Sequence, residues 1–306
     1  MITALSLNPS LDKTMTLDRF DPDAPNRVEI ARVDLGGKGV NVARVLSVFS
    51  GVHQLMGFDF DGLPVEKEMG ERLICRLLRR EGALRVNLKI REASGRTIEI
   101  NERGAMAETE TLLKMEELLL SSCLAGSWVA LCGSLPPGAP ADTYQRLCRK
   151  LKEKGCFVAV DCDGPALIAA LEAGPDLIKP NAQEFFALTG ADAGDLPSAL
   201  KACRQLHEKV AMICLSRGPE GAVLSSRDGA VFCPAADVPV LGTQGAGDSM
   251  LAGLRMALER GEGPGEALRF ASAVAGASVM LPGTQLCCRE DALAIYARMP
   301  PWKGCS

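Results

Sequence analysis

The sequence predicts an α/β protein with a mainly parallel central sheet, helices on both of its faces and a small second β-sheet. Short apolar runs recur along the 306 residues, and each is followed by a longer segment with helical spacing. Runs that are apolar throughout are typical of strands buried on both faces, as in a parallel sheet between helices. Two polar segments interrupt the alternation and predict the second sheet.

The strands of the central sheet are predicted at short runs: "ITALSL" at 2, "WVALC" at 128, "FVAVD" at 157, "DLIK" at 176 and "AMICLS" at 211. Segments with apolar residues three and four positions apart predict helices at 65–81, 111–121, 141–155, 196–209 and 265–280. Strands that alternate with helices of this length favour βαβ units within a single domain over residues 1–306.

The two interrupting segments are 10–34 and 84–103, where polar residues alternate with apolar ones. Strands with one solvent-exposed face fit a small antiparallel sheet beside the main one. Such a sheet can close over a ligand as a lid, or its open face can pair with a second copy of the chain.

Composition narrows the class of partner. A formal charge of -4 argues against non-specific binding to nucleic acid or an anionic membrane, so we expect a small-molecule partner. The twelve cysteines include no C-x-x-C pair and the chain has two histidines, so a zinc site would lack its usual ligand spacing. We expect reduced thiols in a cytoplasmic protein, because the N-terminus lacks the pattern of a signal peptide.

Polar residues collect where the predicted strands end. Ligands of open parallel sheets bind beyond the carboxyl ends of the strands. The residues at those ends are Asn8, Pro9, Asp12, Gly133, Ser134, Lys179, Pro180, Asn181, Glu184, Ser216, Arg217 and Gly218. Any one of them alone is more often structural, but their combination on one edge favours a binding site.

The stretch "GTQGAGDSMLAG" at 242–253 lies at the same edge and opens a predicted helix. Its small residues suit an anion at the helix N-terminus, where backbone N–H groups are unpaired. The alternative is a tight turn with Asp248 as a helix cap. The stretch by itself leaves these two interpretations at even odds.

A second glycine cluster, "GGKGVNVARVL" at 36–46, also opens a helix. Its lysine and asparagine could hydrogen-bond the hydroxyls of a polyol, or the glycines could merely allow a tight turn. Neither a G-x-x-x-x-G-K-[ST] loop nor a G-x-G-x-x-G after the first strand occurs, so both common nucleotide-binding fingerprints are absent.

Taken together, these segments resemble the ribokinase-like carbohydrate kinases of the phosphofructokinase B family. The resemblance runs through "SLNPSLDKT" at 6, "GGKGVNVARVL", "GSLPPGAP" at 133, "LIKPNAQEF" at 177, "LSRGPEGAVL" at 215, "GTQGAGDSMLAG" and "LPGTQLC" at 281. It implies a three-layer α/β/α domain with a β lid, a homodimer formed through the lid, and phosphoryl transfer from ATP with Mg²⁺.

The resemblance also implies roles for individual residues. Asp248 corresponds to the base that takes the proton of the sugar hydroxyl, and the backbone of Gly245, Ala246 and Gly247 to the anion hole. The nucleotide-binding positions are Lys179, Ser216, Gly218, Gly221 and Thr243. Asn181 and Glu184 match an N-x-x-E motif that organises Mg²⁺ through its waters.

The positions implied for the sugar are Asp12, Gly37, Lys38, Asn41 and Ser134, and those for its phosphate are Arg27, Lys89 and, less directly, Arg85. The resemblance is strongest to members that phosphorylate fructose 1-phosphate, with tagatose 6-phosphate kinases as the nearest alternative. A different class of answer is a sugar-phosphate sensor without catalysis. The chain departs from the family pattern at Cys132, where serine is common, at Leu84, where threonine is usual, and at Gln244, where an apolar residue is usual. The segment 57–70 also matches poorly.

Overall fold

The computed structural model of the chain describes residues 1–49, 51–60, 69 and 72–305. These residues form a ten-stranded sheet and a separate four-stranded sheet. The strands of the large sheet are β1 Ile2–Ser6, β4 His53–Asp59, β5 Leu73–Arg79, β8 Trp128–Cys132, β9 Phe157–Asp161, β10 Leu177–Ile178, β11 Met212–Ser216, β12 Ala222–Ser226, β13 Gly229–Cys233 and β14 Lys303–Cys305. Those of the small sheet are β2 Ser10–Leu17, β3 Glu29–Gly36, β6 Arg85–Glu92 and β7 Thr97–Asn101.

The large sheet has the strand order β14-β13-β12-β11-β10-β9-β8-β1-β4-β5. Every neighbouring pair from β5 to β11 is parallel, and β12, β13 and β14 extend one edge as antiparallel strands. The carboxyl ends of the parallel strands therefore meet at one edge, where the polar residues of the sequence were expected.

Helices cover both faces of the large sheet. They are α1 Lys38–Val48, α2 Thr109–Ser122, α3 Thr143–Glu153, α4 Gly164–Leu171, α5 Ala182–Thr189, α6 Leu196–Leu206, α7 Ala246–Glu259, α8 Pro264–Val279 and α9 Arg289–Arg298. Alternate residues of one strand enter opposite apolar clusters: Ala4 packs with α1, α7, α8 and α9, and Leu5 with the helices of the other face. None of the helices in the described ranges has the length and apolar character needed to cross a bilayer.

The helix predicted over 65–81 is wrong for its second half. Leu73–Arg79 is a strand that pairs in parallel with His53–Asp59, while 61–68 and 70–71 lie outside the described residues, as does most of the poorly matching segment 57–70. Periodicity alone does not separate a short apolar run in a strand from one in a helix. Here Leu73, Cys75 and Leu77 pack on one face with the spacing of two that a strand requires.

The small sheet has the order β3-β2-β6-β7, and it is mixed rather than antiparallel as predicted. β2 pairs in parallel with β6, while the two outer pairs are antiparallel. The reason lies in the connections: β2 follows β1 and β6 follows β5 after short turns. Both strands therefore leave the same edge of the large sheet in the same direction, which brings the small sheet next to that edge.

Candidate active site

The turn before α7 favours glycine at position 245. Gly245 has a φ of 73°, in the left-handed region, and a Cβ there would lie 2.6 Å from the Leu286 Cδ2 atom. Gly245 is the N-cap, so the backbone of Ala246 and Gly247 forms the first turn of the helix. The start of a helix presents unpaired N–H groups and the positive end of the dipole.

Asp248 is buried in this first turn, with 6% of its surface exposed. It does not cap the helix, because Gly245 occupies that position without a side-chain bond. The Asn41 Nδ2 atom instead donates to the Asp248 Oδ2 atom at 2.7 Å. Within the described part of the chain no donor reaches the Oδ1 atom, so this oxygen keeps its lone pairs for another partner.

The proton affinity of Asp248 is high for a carboxylate. Burial raises its pKa to about 6, and the nearby Asp161 adds to this effect, while Lys38, Asn41 and Lys179 act in the opposite direction. A carboxyl group with such a pKa is ionised at neutral pH and can still take up a proton during a reaction.

Two lysines and two carboxylates surround this aspartate. The Lys38 Nζ atom lies 2.8 Å from the Asp161 Oδ1 atom and 3.0 Å from the Glu184 Oε1 atom. The Lys179 Nζ atom lies 3.2 Å from the other oxygen of Asp161. Burial opposes the charge of Lys38, but Asp161 and Glu184 outweigh it and raise the lysine's pKa well above its ordinary value.

Asp161 is a site residue that the sequence analysis missed. Burial opposes its charge, but Lys179 and Lys38 outweigh this and lower the pKa of Asp161. The signal was present, because Asp161 ends "FVAVD" and an acid that ends a buried parallel strand lies at the ligand-binding edge. Its position between the two lysines means that it holds both ammonium groups at this edge.

Lys179 also lies against the glycine-rich turn. A Cβ on Gly247 would be 2.9 Å from the Lys179 Nζ atom, so glycine at this position lets the ammonium group approach the backbone of the turn. The structure thus brings together Asp248, Gly247, Lys38, Asn41 and Lys179. A buried ammonium group beside a helix N-terminus is an arrangement suited to phosphate.

Asn181 and Glu184 form a reciprocal capping box at the start of α5. The Asn181 Oδ1 atom accepts a hydrogen bond from the backbone N–H of Glu184 at 2.8 Å, and the Glu184 Oε2 atom accepts one from the backbone N–H of Asn181 at 2.9 Å. No group of three or more His, Cys, Asp or Glu side chains among the described residues could hold a metal ion directly. Because carboxylate oxygens keep spare lone pairs, Glu184 fits a hydrated Mg²⁺ ion, which binds through its waters and nucleotide phosphates.

The predicted nucleotide positions lie next to this box. Ser216 ends β11 and forms a bridge with Asn181. Gly218 and Gly221 bound a short 3₁₀ turn with φ values of 60° and 91°, and a Cβ on Gly221 would lie 2.2 Å from the Cys233 carbonyl oxygen. Thr243 is exposed on the segment before the glycine-rich turn.

Asp12 is the centre of a second buried cluster, on the face of the small sheet that turns toward the loop at 281–286. Its Oδ1 atom accepts from Ser10 at 3.0 Å and Asn87 at 2.9 Å. Its Oδ2 atom accepts from Lys89 at 3.0 Å and Thr284 at 2.8 Å. Burial opposes the charge, but Lys89 and these hydrogen bonds outweigh it and lower the pKa of Asp12.

The remaining predicted sugar positions connect the clusters. Gly37 is the N-cap of α1 with a φ of 102°, and a Cβ there would lie 3.1 Å from the Pro9 Cα atom. The Ser134 Oγ atom accepts from the Asn8 Nδ2 atom at 3.2 Å. Thr284, a residue of the "LPGTQLC" motif, donates a hydrogen bond to Asp12, while Leu286 of the same loop lies against Gly245.

The two arginines suggested for a phosphate do not join the clusters. The Arg85 Nε atom donates to the carbonyl oxygens of Asn8 and Pro9, at 3.0 and 3.3 Å, so its side chain fixes the loop after β1. Arg27 is exposed before β3, and no contact within the described residues ties it to Lys89. Lys89 is thus the one of the three that is buried in a site.

Comparison with known proteins gives the family to which the chain belongs. A family model described as pfkB family carbohydrate kinase matches residues 5–292. The 1-phosphofructokinase of Rhodobacter capsulatus is 37% identical over 278 residues, which are 89% of this chain and 88% of the relative. The ATP-dependent 6-phosphofructokinase isozyme 2 of Escherichia coli K12 is 29% identical and covers 97% of this chain and 98% of its own length.

The fold agrees as well. The crystal structure of phosphofructokinase-2 from Escherichia coli in complex with substrates and products has a TM-score of 0.88 at 27% identity, over 98% of this chain and 99% of that one. The predicted fold class, a parallel sheet between helices with a small second sheet, is confirmed. The family resemblance inferred from the motifs is confirmed too: this chain belongs to the pfkB family of carbohydrate kinases.

Proposed function

We propose that this chain transfers the γ-phosphoryl group of ATP to the C6 hydroxyl of fructose 1-phosphate, giving fructose 1,6-bisphosphate. Its membership of the family makes it an ATP-dependent sugar-phosphate kinase. The proposal concerns the choice of sugar phosphate and the residues that act. The whole-length similarity to a 1-phosphofructokinase at 37% identity supports this substrate.

The observation that carries the catalytic assignment is the state of Asp248. It is buried, it accepts one hydrogen bond from Asn41, and its pKa is raised to about 6. Its second oxygen would accept the proton of the sugar hydroxyl as that oxygen attacks the γ-phosphorus. Asn41 would hold the carboxylate in the orientation that this proton transfer needs.

The backbone amides of Gly245, Ala246 and Gly247 would stabilise the charge on the phosphoryl group in transfer. Lys179, beside Gly247, would add a positive charge at the same place. Positioning and electrostatic stabilisation are most of what phosphoryl transfer requires of a protein. Ser216, Gly218, Gly221 and Thr243 would form the nucleotide side of the site.

Asn181 and Glu184 would hold Mg²⁺ through its water molecules. The bound ion would neutralise charge on the phosphates of the nucleotide. Lys38, which contacts both Asp161 and Glu184, would orient the carboxylate of Glu184 toward those waters.

The sugar would lie between the two clusters. Asp12, Gly37, Asn41 and Ser134 would bind its hydroxyls, and Lys89 would bind its phosphate. Lys89 is buried and within 3.0 Å of the Asp12 carboxylate, so one cation and one anion stand side by side for a substrate that carries both hydroxyls and a phosphate. Arg27, the other cation predicted for this phosphate, is exposed on the segment before β3 and is not given a contact with the sugar here.

The test is a turnover assay that follows ADP release with purified protein, ATP and Mg²⁺ on three substrates. We expect fructose 1-phosphate to give the highest kcat/KM. A preference for fructose 6-phosphate, which the similarity to a 6-phosphofructokinase makes the second candidate, or for tagatose 6-phosphate would contradict the choice of substrate. Binding of sugar phosphates without any transfer would instead support the sensor.

The same proposal includes a homodimer formed through the small sheet. On the face away from Asp12, the paired residues Val33, Lys13, Leu88 and Ile100 form one row across all four strands. Val33 and Ile100 are 48% and 51% exposed, which is unfavourable for apolar side chains in an isolated sheet. Light scattering should give a dimer for the unmodified chain and a monomer for Ile100→Glu; a wild-type monomer would contradict this proposal.

A further inference from the structure

Gln244 departs from the family pattern, and the structure gives its side chain a partner. The Gln244 Oε1 atom accepts from the Arg91 Nη2 atom at 3.4 Å, and the Arg91 Nη1 atom donates to the Leu241 carbonyl oxygen at 2.6 Å. Arg91 belongs to β6 of the small sheet. One guanidinium group therefore joins the small sheet to both ends of the segment that precedes Gly245.

That segment is held closely on its other side. The amides of Leu241 and Gly242 both donate to the Val279 carbonyl oxygen, at 2.8 and 3.1 Å. A Cβ on Gly242 would lie 2.8 Å from the Leu281 carbonyl oxygen and 3.3 Å from the Arg91 Nη2 atom. Residues 241–244 thus fit between the end of α8 and Arg91, so a displacement of Arg91 would be transmitted to the turn that begins at Gly245.

Arg91 lies two residues from Lys89 on the same strand. Side chains at this spacing share one face of a sheet. Here Lys89 contacts Asp12, while Arg91 contacts the segment before the glycine-rich turn. The strand therefore carries, on one rigid element, the cation proposed for the sugar phosphate and the contact to the proposed anion hole.

We propose that Arg91 and Gln244 form a latch through which the small sheet sets the position of the Gly245–Gly247 turn. Both are positioning residues, since neither is placed at the reacting atoms. The inference rests on the proposed function, because the turn matters to catalysis only if it binds the transferring phosphoryl group. Backbone N–H groups such as those of Gly245–Gly247 stabilise a transition state only when they are held in place before the reaction.

The first test measures the turn itself. Hydrogen exchange of amides in a peptide spanning 241–249 would be followed in Arg91→Met, Gln244→Val and the double variant, with Arg96→Met as the control. Arg96 lies in the turn between β6 and β7; its side chain is 67% exposed and, among the described residues, forms an ion pair only with Glu92, at 3.8 Å. We expect exchange of the peptide to rise about threefold or more in Arg91→Met, which loses the bonds to Leu241 and Gln244, and by a smaller factor in Gln244→Val, which loses only the bond between the two side chains. The double variant should exchange no faster than Arg91→Met, because both changes act on the same guanidinium group.

Exchange of the same peptide in Arg96→Met, and the melting temperature of every variant, should stay at their wild-type values. A surface hydrogen bond contributes little to global stability, so a latch predicts a local change alone. Unchanged exchange in both single variants would overturn the proposal. So would an equal rise in Arg96→Met, or a general rise in every peptide, since each would make the effect one of stability.

The second test separates kcat from KM. We expect Arg91→Met and Gln244→Val each to lower kcat about threefold to tenfold with KM for both substrates within about twofold. Gln244→Glu should retain kcat near its wild-type value, because it keeps an acceptor for Arg91. A rise in KM at constant kcat would overturn the latch. Should the wild-type chain phosphorylate no sugar phosphate, the proposed function fails and hydrogen exchange alone decides the latch.

Discussion

The two buried aspartates of the site, Asp248 and Asp12, have opposite surroundings. Both expose less than a tenth of their surface, at 6% and 4%. Among the described residues Asp248 accepts a single hydrogen bond, from the neutral amide of Asn41, and its pKa is raised to about 6. Asp12 accepts four, one of them from an ammonium group, and its pKa is lowered.

The difference teaches that burial does not decide what a carboxylate does. An aspartate with few donors gains affinity for a proton, which suits a base, while one whose oxygens are all engaged stays ionised and holds its neighbours in place. We therefore propose Asp248 for proton transfer and the cluster of Asp12 and Lys89 for binding of the substrate.

The largest effect expected from this comparison is that of Asp248→Asn. It removes the proton acceptor and little else, so turnover should fall about 10²- to 10⁴-fold, the usual contribution of a positioned base. Calorimetry should give a dissociation constant for fructose 1-phosphate within about threefold of wild type. Turnover that survives at a tenth of its normal rate would show that Asp248 is not the base.

Asp12→Asn should give the opposite pattern. It leaves the ammonium group of Lys89 buried without its partner, so KM for the sugar phosphate should rise about tenfold and the free energy of unfolding should fall by about 1–3 kcal/mol. Asp248→Asn is the matched control. Because the pKa of Asp248 is raised to about 6, its ionised form lowers the stability of the fold above about pH 6, and removing that charge should not destabilise the protein. Urea titrations at pH 8 should therefore show a loss of stability for Asp12→Asn alone; equal losses would contradict the contrast.

A smaller effect is expected from Lys38→Met, which acts on Asp248 through charge. Lys38 lowers the pKa of Asp248, so its removal should raise that pKa and shift the acid limb of kcat/KM to higher pH. Ionisation of the substrate is common to both proteins and cancels in the comparison. Lys114→Met on α2, an exposed lysine paired with Glu110, is the control that should leave the profile in place. A shift to lower pH would refute the charge contribution.

Much of the fold and of the site followed from local sequence pattern. Runs such as "WVALC" are apolar throughout and became the parallel strands, and the acids and lysines at strand ends met at one edge because the topology requires it. The segment 73–79 was misassigned because a seven-residue run fits either periodicity. The parallel pairing of β2 and β6 was missed because it depends on where two distant connections start.

The contacts that set proton affinity could not be predicted. Thr284 and Asp12 are 272 residues apart, and Arg91 and Gln244 are 153 apart. No periodicity or motif length relates such positions, so the four donors of Asp12 and the partner of Gln244 become visible only in three dimensions. Asp161 differs, since the rule that identified Lys179 applies equally to the end of β9.

The most direct test of the central claim is a ¹³C NMR titration of the unliganded protein labelled at the aspartate carboxyl carbons. The resonance that disappears in Asp248→Asn identifies this residue. The account predicts that it titrates near pH 6, above the ordinary aspartate value of 3.8. A resonance that titrates at or below 3.8 would contradict the account, because Asp248 would then be held as an ionised structural group like Asp12.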